Sequence, residues 1–105
     1  MDPLHLTTSH RDGTVTVAVS GELDIATTEL LRSHLLTLLR EACGAPQASM
    51  IIEVSRLSFI DAAGLGILIS VYNHAQRQHT PLRIAGVPPA MRRLLRITGL
   101  DGRLA

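Results

Sequence analysis

The stretch that decides the reading is "FIDAAGLGIL", Phe59 to Leu68, where a strand-like apolar run passes into a helix-like one. Asp61 stands where the helix would start. A carboxylate there can accept hydrogen bonds from the free N–H groups of the first turn and favours the positive end of the helix dipole, for about 0.5–2 kcal/mol. The same carboxylate could also touch a partner, and the two roles are compatible. No nucleophile, general base or metal-ligand cluster accompanies it in sequence.

Downstream, the spacing predicts a helix from Ala63 to about Gln78, with Gly64, Leu68, Val71, Tyr72 and Ala75 as its core stripe. Upstream, "SMIIEVS" reads as a short, mostly buried strand. "VTVAVSG", Val15 to Gly21, alternates valines against Thr, Ala and Ser, the pattern of a strand with one face on the core. A weaker alternation over Leu4 to Ser9 and the "RDG" turn at Arg11 to Gly13 predict an opening hairpin. Between them, Thr27 to Cys43 places Leu31, Leu35, Leu38, Leu39 and Ala42 at helical spacing, with Gly44 and Pro46 as the stop. "PLRIAGV" predicts a further strand. "PPAMRRLLRITG" predicts a third helix, opened by proline and stopped by Gly99.

The order ββαβαβα predicts a single α/β domain over residues 1–105, with an opening hairpin, parallel crossovers and helices packed on a mixed sheet. Val15, Val17, Val19, Ile51, Ile52, Val54, Leu68 and Ile84 are expected to share one core. A chain of 105 residues can bury such a core without disulfides or metals.

Composition excludes several chemistries. All ten basic residues are Arg, so there is no phosphate-loop lysine, Schiff-base lysine or lysine general base. Phe59 and Tyr72 are the only aromatics and the formal charge is +1, which argues against a nucleic-acid surface. His74 and His79 lie five apart rather than three or four, and Cys43 has no zinc-spaced partner, so no metal site is expected. Gly64 and Gly66 lack the third glycine of a dinucleotide fingerprint, which would fall at Ile69; close packing of helix on sheet is the simpler account of both, and no cofactor is expected. Arg92, Arg93 and Arg96 read as a solvated face rather than a patch for an anionic partner. A lone cysteine suits a reducing compartment, the N-terminal segment predicts no secretory signal, and no apolar run approaches the ~20 residues that span a bilayer. A cytoplasmic protein without membrane insertion is expected.

Three stretches in this order, "GELDIAT" (Gly21 to Thr27), "FIDAAGLGIL" and "LRIAGVPPAMRRLLRITGLD" (Leu82 to Asp101), resemble the STAS family, the sulfate-transporter and anti-sigma-factor-antagonist domain. The likeness covers Leu4 to about Gly102. Each motif alone is weak, but the first two, about forty residues apart, make a strong joint signal. The resemblance implies a non-catalytic module, like a standalone bacterial anti-sigma-factor antagonist, that binds a GHKL-type serine kinase acting as anti-sigma factor and frees a sigma factor. The alternative it implies is a soluble STAS subunit of a membrane transport complex for lipids or anions. A weak homodimer is the other association considered.

The resemblance also implies phosphorylation directly before the motif glycine, where this chain has Ala63. Ala62 stands where many relatives carry another serine, and Glu53 where relatives commonly have Asp. An alanine has no oxygen to esterify, so the usual added charge is unavailable. The chain's end at Ala105 implies no room for the extra C-terminal strand of some relatives. The partner-binding set is therefore Asp24, Asp61, Ala62, Ala63, Gly64, Leu65, Gly66 and Ile69, with Leu65, Ile67 and Ile69 expected to put apolar surface outward and the two acids forming a polar rim.

Overall fold

A computed structural model describes residues 3–98. Two strands, β1 (His5–Arg11) and β2 (Thr14–Leu23), form the opening hairpin; then follow α1 (Thr28–Ala42), β3 (Ser49–Ile60), α2 (Ala62–Arg77), β4 (Leu82–Ala85) and α3 (Pro89–Thr98). The hairpin turns on Asp12 and Gly13, both at positive φ (52° and 83°), as a two-residue turn matched to strand twist requires. The sheet order is β1-β2-β3-β4, antiparallel for the first pair and parallel for the other two. The predicted element order and mixed α/β sheet are those observed. The predicted stop at Gly99 lies outside the described residues.

One face of the sheet builds the core. Val17, Val19 and Leu23 of β2, Met50, Ile52 and Val54 of β3 and Ile84 of β4 are buried with Leu31, Leu35, Leu38 and Leu39 of α1, Leu65, Leu68, Val71 and Ala75 of α2, and Met91 and Leu95 of α3. Val15 packs against this cluster while staying partly exposed. Ile51 departs from expectation: its neighbours Met50 and Ile52 point into the core, so alternation turns Ile51 to the opposite face, where it is only half-buried.

β3 also runs to Ile60, five residues beyond "SMIIEVS". The reason is two slips in its pairing with β2. Between Ala18↔Glu53 and Ser20↔Arg56, and again between Gly21↔Leu57 and Glu22↔Phe59, β3 carries one residue more than its partner. Each extra residue reverses the in-out phase, because side chains alternate with a period of two. Thus Leu57 is buried where the earlier phase would turn it outward, and Phe59 remains 49% exposed.

Candidate functional site: the rim where β2 and β3 end

Leu23 and Ile60 are the last paired residues of β2 and β3, so Asp24 and Asp61 leave the sheet side by side. The backbone N–H of Asp61 donates to the Leu23 carbonyl at 3.3 Å, tying the two exits together. Asp61 is the N-cap of α2: its backbone is extended and its Oδ1 accepts the Gly64 N–H at 2.9 Å. Asp24 is equally engaged. Its Oδ1 accepts the N–H groups of Ala26 (2.9 Å) and Thr27 (3.2 Å), while its own N–H donates to Thr27 Oγ1 at 3.0 Å and that hydroxyl donates to the Glu22 carbonyl at 3.0 Å. "GELDIAT" thus folds into a closed turn that delivers the chain into α1. Each carboxylate orders its own loop, and each remains only half-buried.

The first two turns of α2 sort the other expected site residues by direction. Ala62 and Gly66 face outward, Ala63 is half-buried, and Gly64 and Leu65 face inward. Gly64 is where the helix rests on the sheet: a Cβ there would stand 2.7 Å from Leu23 Cγ and 2.8 Å from the Leu23 carbonyl oxygen. Close packing therefore explains Gly64. It does not explain Gly66, where an added Cβ would meet nothing within 4 Å. Leu65 is a second correction: at 4% exposure it belongs to the core and offers no outward apolar surface. Ile67 and Ile69 are partly buried against the same cluster. The helix packs against α1 on one side and against β3 and β4 of the sheet on the other, so its buried face is wider than the stripe through Gly64, Leu68 and Val71.

The outward apolar groups come from residues that periodicity passed over. Among the described residues the exposed large hydrophobics are Ile25 (79%), Leu30 (55%), Phe59 (49%) and Ile97 (76%). Ile25 follows Asp24 directly, Leu30 lies in the first turn of α1, and Phe59 pairs with Glu22 one residue before the strand ends. Ile25 and Leu30 thus belong to the exit of β2 into α1, while Phe59, near the end of β3, lines a shallow pocket with Pro88, Ala90 and Met91. The available signal was an isoleucine inside a turn of polar residues, and a leucine beside the Leu31–Leu35–Leu38 stripe instead of on it.

This end of the sheet thus carries exposed apolar side chains close in sequence to two carboxylates that are fixed by their own loops. No helix of the described residues is long and apolar enough to cross a membrane. A family model described as "Mlab, STAS domain" matches residues 6–105, and the chain belongs to the STAS domain family. It is 28% identical over 98 residues to the anti-sigma F factor antagonist of Paenibacillus polymyxa, covering 92% of this chain and 80% of the relative. The anti-sigma-B factor antagonist of Bacillus subtilis (strain 168) is 24% identical over 97 residues, covering 92% and 84%. Among solved structures, an anti-sigma factor antagonist from Mycobacterium paratuberculosis superposes with a TM-score of 0.83 at 28% identity, covering 98% of this chain and 84% of that one.

Proposed function

We propose that this protein is a non-catalytic binding module, an anti-sigma-factor antagonist that docks on a GHKL-type kinase serving as anti-sigma factor and thereby frees a sigma factor. The observation that carries the proposal is that exposed Ile25 directly follows Asp24 and exposed Phe59 stands two residues before Asp61, on two chain exits tied together by the Asp61 N–H to Leu23 carbonyl bond, at the start of the helix where the family resemblance puts the switch. The names of the relatives support the choice of an anti-sigma factor over a transport complex. Apolar groups would supply the affinity, since each side chain buried contributes about 1.5–3 kcal/mol, and the carboxylates would supply orientation and on-rate.

Docking of this kind is not switched by phosphorylation at Ala63, which has no hydroxyl. Capture from an extract of the source cells, read by mass spectrometry, tests the proposal. A captured GHKL-type kinase that releases its bound sigma factor when this protein is added supports it. An ATPase with a permease identifies the protein as a transport subunit instead.

A further inference from the structure

The sheet face turned away from the core carries a separate feature at the middle of β3. Beside the first bulge of β3 a cleft of about 270 Å³ opens across β1, β2 and β3, lined by Thr7, Ala18, Ser20, Glu53, Ser55 and Arg56. Bulges re-aim side chains, and this one turns Arg56 into the cleft beside Glu53 instead of toward the core.

Glu53 is fixed from two sides. Its Oε1 accepts the Ser55 N–H at 2.7 Å, a group that the bulge leaves outside the regular ladder. On the other flank stands Gly86, at φ +71°, so close that a Cβ there would overlap the same oxygen. The Ser55 hydroxyl and N–H, with a smaller contribution from Arg56, hold the Glu53 carboxyl below the usual carboxylate range. A fixed anion therefore stands beside a guanidinium that forms no ion pair among the described residues. The Thr7 and Ser20 hydroxyls likewise have no side-chain hydrogen-bond partner among them.

We propose that this cleft binds a small zwitterion of free amino-acid size, its ammonium group against Glu53 and its carboxylate against Arg56, with the Thr7 and Ser20 hydroxyls donating to the carboxylate. The charges select this class. A simple anion would gain from Arg56 and lose to Glu53, and a simple cation would do the reverse, whereas a ligand carrying both charges gains from each. The size agrees: the cleft lies just under the ~300 Å³ at which pockets for larger ligands begin. The reading is independent of the docking rim, since no residue is shared between the two.

Nitrogen-15 amide spectra of the full chain, titrated separately with L-serine, acetate and methylammonium, provide the test. L-Serine should shift the Thr7, Ser20 and Ser55 signals saturably. Acetate and methylammonium should each bind at least about tenfold more weakly, and Arg56→Gln should weaken L-serine about tenfold. Arg56 is exposed, so this variant keeps the fold. Absence of a saturable shift, equal binding of acetate, or an unchanged response in Arg56→Gln would overturn the proposal.

Discussion

Gly64 of helix α2 lies directly against Leu23 at the end of β2, and the glycine's missing Cβ would fall 2.8 Å from the Leu23 backbone carbonyl oxygen. A carbonyl held in a sheet cannot move aside as a flexible side chain can. Gly64→Ala should therefore destabilise the fold by about 1–3 kcal/mol, the usual cost of overpacking, seen as a lower urea midpoint with an unchanged slope. Leu65→Ala, which empties a buried site one residue on, should cost about 2–5 kcal/mol. An unchanged midpoint in either variant would show that α2 is seated differently.

Gly66 should behave in the opposite way. It lies inside a helix with open space where its Cβ would be, so Gly66→Ala should raise stability by up to about 1 kcal/mol in the same titration. If the partner packs closely across α2, the same alanine should weaken partner binding, so that stability and affinity move apart. A loss of both would point to a contact within the monomer.

Ile25→Ser should leave the thermal midpoint almost unchanged, because 79% of that residue is already in solvent. Its effect belongs in binding. Removing one apolar anchor from the rim should weaken capture of the anti-sigma factor at least about tenfold, equivalent to 1.4 kcal/mol, in an isothermal titration. Equal affinity of variant and parent would move the docking surface away from this rim.

Incubation with a cognate anti-sigma kinase and ATP should leave the intact mass unchanged, since Ala63 offers no acceptor oxygen. Ala63→Ser should gain one phosphate. Ser58 and Ser70 are the hydroxyls nearest in sequence, one on β3 and the other two turns into α2. A phosphate on either in the parent protein would mean that the switch has moved to a new position.

Glu53 sets a pH signature. Its carboxyl is held below the usual range by Ser55 and Arg56, so the ionised form favours folding. That contribution is complete above the unfolded value of about 4.3 and is lost as pH falls through the lower folded value. The stability gap between the parent and Glu53→Gln should accordingly narrow in urea titrations below about pH 4.3. A gap that widens in acid would assign Glu53 the opposite role.

What the sequence determined by itself was local. Asp12–Gly13 encodes a two-residue hairpin turn through backbone preference alone, Asp61 a helix cap through a side chain three residues from its donor, and the leucines of α1 a buried stripe through spacing. The same holds for the motifs that mark the STAS family and for the missing hydroxyl at residue 63.

Tertiary structure decided which surfaces are covered. Periodicity tells which side chains of one element share a face, but not how many other elements press on it. Leu65 is buried because α1 and the sheet together cover more of α2 than one stripe, while Ile25 stays exposed on the turn that Asp24 and Thr27 close. In β3 the phase itself was a tertiary matter. Its two extra residues exist only relative to β2, and each reverses which side chains face the core; hence Leu57 goes in and Phe59 stays out, although no pattern within "SRLSFI" distinguishes them.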